Sequence, residues 1–379
     1  MTRANPSGKP PAHFNLLVGT YTAGASEGIQ VFHFDDAAGR IGELRFTAPC
    51  SNPSWLTLSA DGRQLYAVSE DGGESPDMPG ERRGQVSHFQ FDAASGRLDL
   101  HGSQASKGDH PTHSSLSPDQ RYLFVANYSA DAEPGSLVVL PVAADGTLGA
   151  ARHVHRHPVG SHGDAERQAH GHVHCARISP DGWHLYVADL GADRVFVHRY
   201  DVHHPANPLQ TAGPASFQAP TGSGPRHLVF SADGRFAYLT LELSGEVMAL
   251  AVERGELRAI QTERLAPPGF GGAVAAGSLH LSADGRFLHV LDRGDHNHLV
   301  VYRVDPAKGT LECLQRRSCE GREPREMALS PSGRFLLLAN QGSDRIHVLA
   351  RDPESGRLGE TLQTVSVGAP SDFVFVALP

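Results

Sequence analysis

The apolar residues of this chain fall in short runs of about four to eight, rich in Val, Leu, Ile, Phe and Tyr, that stop at clusters of Gly, Asp, Ser, Asn and Pro. No long segment holds the period of an amphipathic helix. His172-Val-His-Cys-Ala-Arg-Ile178 runs into Ser179-Pro-Asp-Gly182, continues as His184-Leu-Tyr-Val-Ala-Asp189, breaks, and continues again as Arg194-Val-Phe-Val-His-Arg-Tyr200. This pattern predicts strand, tight turn, strand, turn, strand, because Gly supplies the positive φ that a tight hairpin requires.

The same unit recurs. Its turn appears as Ser59-Ala-Asp-Gly-Arg63, Ser117-Pro-Asp-Gln-Arg121, Ser179-Pro-Asp-Gly-Trp183, Ser231-Ala-Asp-Gly-Arg235, Ser282-Ala-Asp-Gly-Arg286 and Ser330-Pro-Ser-Gly-Arg334. The spacing of roughly 50 to 60 residues is that of a propeller blade. A β-rich segment follows each turn, as in Asp193-Arg-Val-Phe-Val-His-Arg-Tyr-Asp201 or Asn297-His-Leu-Val-Val-Tyr-Arg-Val-Asp305, and a seventh copy, Gly28-Ile-Gln-Val-Phe-His-Phe-Asp35, has no such turn before it. The strand it lacks stands at the other end of the chain, where Pro370-Ser-Asp-Phe-Val-Phe-Val376 resembles Pro53-Ser-Trp-Leu-Thr-Leu58. The expected fold is therefore all-β, a seven-bladed β-propeller closed by pairing of the N- and C-terminal strands, which removes the exposed edges of an open array. Residues 1–13 are expected to be an N-terminal tail and residues 14–379 a single domain of four-stranded blades. Asp71–Gly80 and Pro267–Gly277 then read as loops on the propeller faces.

Composition narrows the function more than the fold. With 41 Gly and 26 Pro in 379 residues, the chain suits many short strands joined by turns. A net charge of −9 and no long Lys/Arg run argue against nucleic-acid binding, so an anionic small molecule would have to be met by a local cluster of arginines. Cys50, Cys175, Cys313 and Cys319 are scattered without a C-x-x-C, as expected of reduced thiols in a cytoplasmic protein. Residues 1–13 lack the apolar core of a signal peptide, and no window is apolar enough to span a membrane.

In a propeller the start of each innermost strand and the end of the next lie near the axis on one face. Counting back five residues from each turn Ser gives Ser54, Thr112, His174, Arg226, Gly277 and Arg325, with Ser371 equivalent in the closing strand. The second-strand ends are Glu70, Asn127-Tyr128, Asp189, Glu242, Arg293 and Asn340-Gln341, divided between two adjacent registers, with Thr20 and Tyr21 in the closing blade. Both rings are polar. They read either as a small-molecule site or as a solvated channel mouth with internal ion pairs. Arg325, Glu70, Asn127, Asn340 and His113 are candidate substrate-binding residues, although Asn127, Asp189 and Asn340 are also placed to cap strand-end backbone.

Histidines crowd the segment before the innermost strand of the fourth blade: His153, His155, His157, His162, His170, His172 and His174. Alternate strand residues share a face, so His172 and His174 could share a metal ion. No carboxylate at a recognised metal spacing accompanies them, and neither metal nor cofactor is expected.

The residues Arg167-Gln168, His172-Val-His174, Gly224-Pro-Arg-His227, Glu242-Leu-Ser244, Asp292-Arg-Gly294 and Pro324-Arg325, in this order, resemble the lactonase family of seven-bladed propellers that includes bacterial 6-phosphogluconolactonases and fungal carboxymuconate cyclases. The resemblance runs from Leu17-Val-Gly-Thr-Tyr-Thr22 to Asn340-Gln-Gly-Ser-Asp344. It implies a catalytic set of His172 or His174 with Arg226, Glu242 and Arg293, and His174 is preferred because it shares register with Arg226. It further implies hydrolysis of a small anionic sugar lactone, 6-phospho-D-glucono-1,5-lactone first. His174 or Glu242 would take the proton of water, an arginine would hold the oxyanion, and Arg325 would help hold the phosphate. A lactonising muconate cyclase and a non-catalytic binding scaffold are the alternatives. Trp55 and Trp183 read as packing residues, which disfavours the scaffold. Two features depart from the family pattern: Gln120 replaces a turn Gly, and the His-rich loop before His170 is long.

Overall fold

The computed structural model describes residues 12–22, 24–74, 82–129, 134–157 and 159–379. Of the expected tail, positions 1–11 lie outside the described residues, as do 75–80 of the expected loop Asp71–Gly80, and His13 begins the first strand. The described residues form twenty-eight strands in seven four-stranded antiparallel sheets. Six sheets take their strands consecutively from the chain. In the remaining one the order is Pro370–Ala377, His13–Thr20, Gly28–Asp35, Arg40–Pro49, so the last strand supplies the innermost position of the first blade. Leu16 lies opposite Phe375 on one side and Phe32 on the other.

The repeated turn is built by its own side chains. The Ser hydroxyl bonds the Asp carboxylate two residues on at 2.5–2.7 Å in five turns, and the residue after Asp returns its N–H to the Ser carbonyl. That residue must be left-handed. Gly62 has φ 72°, and Gln120, the one departure, adopts φ 59°. In the last turn Ser332 replaces Asp and bonds Asp36 of the first blade at 2.8 Å, fastening the closing junction from outside the seam. Trp183 stands where the other turns carry Arg and is 56% exposed, so it does not pack as expected.

The core lies between blades. Phe335, Leu337, Ile346 and Val348 of the seventh blade pack on Phe14, Leu16, Val18 and Phe373 of the first. A middle strand is covered on both faces, hence the unbroken apolar Phe335-Leu-Leu-Leu-Ala339, whereas the outer strands alternate. No helix among the described residues is long and apolar enough to cross a membrane.

Leu16 is fully buried at the closing junction. Leu16→Ala is expected to destabilise the protein by about 2–5 kcal/mol, because the seam fills a cavity poorly. Urea unfolding with an unchanged m-value would check this.

Candidate active site

Every innermost strand carries a β-bulge near its start, after the first residue in six blades and after the third in the sixth blade: between Pro53 and Trp55, Pro111 and His113, Val173 and Cys175, Pro225 and Leu228, Ala276 and Leu279, Pro324 and Glu326, and opposite Gly19/Thr20 at Pro370–Asp372. A bulge leaves its extra residue unpaired and re-aims the side chain. The bulged residues include Ser54, Thr112, His174, Arg226, Gly277, Arg325 and Ser371, the ring obtained by counting back from the turns. All but Gly277 line one small axial pocket, together with Trp55, His227 and Glu326.

The second-strand ends separate into two rings with opposite tasks, since successive strand residues face opposite ways. Thr20, Asn127, Asp189, Asp292 and Asn340 are fully buried and serve loop backbone. Asn127 Nδ2 donates to the Ser106 carbonyl at 2.9 Å, Asn340 Nδ2 to the Cys319 carbonyl at 2.8 Å, and Asp189 accepts the His172 N–H at 2.7 Å. In five blades the next residue belongs to the site instead: Tyr21, Glu70, Tyr128, Glu242 and Arg293. Four of these are pinned by their backbone N–H, which donates to the residue just before the neighbouring inner strand: Tyr21 to Ala369, Glu70 to Asn52, Tyr128 to His110 and Glu242 to Gly224, at 2.7–3.0 Å. Asn127 and Asn340 thus leave the candidate substrate-binding set, because both are fully buried and their Nδ2 donors are spent on strand caps. His113 leaves it too. It is fully buried under the pocket, 4.3 Å from Trp55 ring to ring, and burial holds its imidazole neutral.

Glu242 gathers the charges. Its Oε2 accepts from Arg226 Nε at 2.9 Å and forms an ion pair with Arg293 Nη2 at 3.0 Å, and its Oε1 accepts from Arg167 Nη2 at 2.9 Å. Burial alone would raise this carboxyl, yet Arg293, Arg226 and Arg167 outweigh it and hold the group far below the usual carboxylate range. Arg226 is 1% exposed, and its guanidinium is drawn down to about 10, first by burial and then by Arg293. A second carboxylate, Glu70, accepts from Ser54 Oγ at 2.5 Å, Tyr21 Oη at 2.6 Å and Arg325 Nη2 at 3.3 Å. Arg226 Nη1 and Arg293 Nε, both buried, have no acceptor among the described residues.

The two histidines differ. His172 donates Nδ1–H to the Tyr128 carbonyl at 2.8 Å and stacks on the Tyr128 ring at 4.5 Å. His174, on the bulge, sits edge-on between Tyr128 and His227, with Nδ1 unpartnered. Burial, reinforced by Arg226, holds His174 well below the ordinary imidazole value of 6.5, so the ring is neutral at working pH.

Arg167 escapes the sequence reading as a site residue because it stands on a loop, where repeat register has no hold. Asp164 accepts the Glu166 and Arg167 N–H groups at 2.9 and 2.8 Å, a tight turn that aims Arg167 at Glu242 and at the Tyr128 hydroxyl. Tyr21, Tyr128, Trp55 and His227 are visible in or beside the register, but their residue types carry no mark of this site. The remaining histidines of the rich segment are dispersed: His157 bonds Asp189 at 2.7 Å and His155 packs against His198. Among the described residues no three His, Cys, Asp or Glu side chains are grouped to hold a metal ion.

The family model described as "Lactonase, 7-bladed beta-propeller" matches residues 15–375. A solved structure of the periplasmic gluconolactonase of Pseudomonas aeruginosa is similar at a TM-score of 0.92 with 56% identity, over 97% of this chain and 100% of that one. A 6-phosphogluconolactonase of Bacillus subtilis is 33% identical over 93% of this chain and 95% of its own length. One of Formosa agariphila is 30% identical over 94% and 98%.

The two strand-end registers are separable by mutation. Asn127→Ala is expected to destabilise by about 1–3 kcal/mol, through carbonyls left unbonded, with KM within about twofold of wild type. Glu242→Ala leaves three guanidiniums uncompensated and should destabilise by about 3–5 kcal/mol. Thermal unfolding paired with steady-state kinetics reads both.

Proposed function

The chain belongs to the lactonase family of seven-bladed β-propellers and is a lactone hydrolase, and from that premise we propose that it opens D-glucono-1,5-lactone to gluconate. The carrying observation is that Arg167, Arg226, Arg293 and Arg325 are each paired with a ring carboxylate, which leaves single N–H donors such as Arg226 Nη1 and Arg293 Nε, suited to one oxyanion, and no wholly unpaired guanidinium among them for a phosphate dianion. The 56% identity to the Pseudomonas aeruginosa gluconolactonase points the same way. A second reading, 6-phospho-D-glucono-1,5-lactone, is favoured by the two relatives named for it and goes with a cytoplasmic location, where phosphosugars are held.

Opening the ring requires a water proton to be taken, a negative oxygen to be stabilised and the ring oxygen to leave protonated. His174 is the base. Its imidazole is neutral and lines the pocket beside Arg226. Glu242 is unsuited to that task, since three guanidiniums hold it ionised and occupy its oxygens; it serves to fix Arg226 and Arg293. As the water oxygen bonds C1, the carbonyl oxygen accepts from Arg226 Nη1 and Arg293 Nε, donors already oriented and desolvated. When the C1–O5 bond breaks, the proton on His174 passes to O5. Glu70, with the Tyr21 and Ser54 hydroxyls and Arg325, reads the sugar hydroxyls. His172 holds Tyr128 by stacking, and Tyr128 in turn orients Arg167.

His174→Ala and Arg226→Ala should each lower kcat/KM by about 100-fold or more. Activity within threefold of wild type in both would sink the assignment. The substrate is decided by pH-stat rates on glucono-1,5-lactone, its 6-phosphate and a carboxymuconate; turnover of the muconate alone would remove both lactone readings.

The pH profile carries a sign. The reaction needs neutral His174, whose value is pushed below 6.5, so activity is full above that pH and falls only as pH drops through the depressed value. An acid limb of kcat well below pH 6.5, measured with correction for spontaneous lactone opening, is the expected result.

A further inference from the structure

Asp193 lies between the second and third strands of the fourth blade, fully buried and left-handed at φ 52°. Its Oδ1 accepts from Gln168 Nε2 at 2.8 Å and the Gly224 N–H at 2.8 Å, and its Oδ2 accepts from the Gly222 N–H at 2.6 Å. One carboxylate thus grips two segments more than fifty residues apart in the sequence. Gln168 follows Arg167, and Gly224 precedes Pro225-Arg226.

Equivalent positions elsewhere make only part of this contact. Asn297 Oδ1 accepts the Glu323 N–H at 2.9 Å, and Asp344 Oδ1 accepts the Ala369 N–H at 2.8 Å, each fastening the approach to the next inner strand. The bond to Gly224 is the fourth-blade version of that device. The bonds to Gln168 and Gly222 are additions. The two segments also touch closely: a Cβ on Gly163 would lie 2.4 Å from the Gly222 nitrogen and 2.8 Å from Gln168 Oε1, so the loop carrying Arg167 is packed in place against the one leading to Arg226.

We propose that Asp193 is a positioning residue of the active site, setting the approach of Arg167 and Arg226 to Glu242 by stapling the loops that carry them. Both arginines end on the same carboxylate, 2.9 Å away in each case, so a shift of either loop moves a guanidinium relative to the reacting carbonyl. The kinetic part of this proposal rests on the lactone reaction above; the staple itself does not.

Asp193→Asn keeps one acceptor oxygen but turns an amide donor toward a backbone N–H. Hydrogen exchange by mass spectrometry should show faster exchange in 159–171 and in 219–228 together, and kcat on the accepted lactone should fall roughly 10- to 100-fold with KM within about threefold. Gln168→Ala, which removes one arm, should loosen 159–171 alone with a smaller loss of kcat. Asp305→Asn, in an outer turn where the carboxylate accepts the Ala307 and Lys308 N–H groups, is the structural control, expected to alter exchange near 305–309 and leave kcat within threefold. Unchanged exchange in both loops of Asp193→Asn, or loosened loops with unchanged kcat, overturns the proposal. If Asp193→Asn does not fold, unchanged kcat in Gln168→Ala overturns it. A wild-type protein that opens no lactone removes the proposed reaction, and the exchange result then decides the staple by itself.

Discussion

The hydrogen-bonded seam between His13–Thr20 and Pro370–Ala377 is the constraint on which the molecule depends. Seven sheets that pack only on their neighbours form an arc unless the ends meet, and an arc has no centre. Closure gives the seven bulged residues of the inner strands a common axis. It also fixes the distance across that axis, so that a glutamate from the fifth blade can meet arginines from the fifth and sixth blades and from a fourth-blade loop.

Around that axis the chain accepts an electrostatic arrangement that would be unfavourable in an ordinary core. A buried carboxylate and buried guanidiniums each lose hydration, and their mutual attraction repays this only when the geometry is good and the remaining donors find partners. Glu242 satisfies the first condition through two hydrogen bonds of 2.9 Å and an ion pair at 3.0 Å. The second is met incompletely, since Arg226 Nη1 and Arg293 Nε stay without protein acceptors. Unspent donors in a desolvated pocket are what a developing oxyanion needs, and they require no reorganisation when it forms. The same low-dielectric surroundings keep the His174 imidazole neutral and strengthen the donors beside it.

The backbone does the aiming. In each blade one bulge turns a residue inward, and in most a carbonyl just before the inner strand receives the N–H of the axis-facing strand-end residue. That carbonyl often belongs to a left-handed residue followed by proline, as at Asn52, His110, Gly224, Glu323 and Ala369, with φ between 37° and 69°. Such conformations are sparsely populated and persist only where surrounding structure insists on them. Here the ring of turns and inter-blade packing supplies that insistence, and the reward is a set of side chains that converge.

Repeat period, turn chemistry and the orphan strand at the C-terminus determine, from the sequence alone, an all-β ring of seven blades and its closure, because each rests on local pattern: a Ser-x-Asp-Gly turn bonds itself, and a strand without a partner must find one. The same counting reaches His174, Arg226, Glu242, Arg293, Glu70 and Arg325, since all occupy fixed positions in the repeat. What only the tertiary structure decides is which of two adjacent strand-end registers faces the axis, a difference of one residue that sends Asn127 and Asn340 to caps and Tyr21 and Tyr128 to the site. It also decides the partners of Glu242. Arg167 reaches that carboxylate from a loop shaped by Asp164 and anchored through Gln168 to Asp193, and no period in the sequence links those residues, because the contacts that join them exist only after the blades have closed.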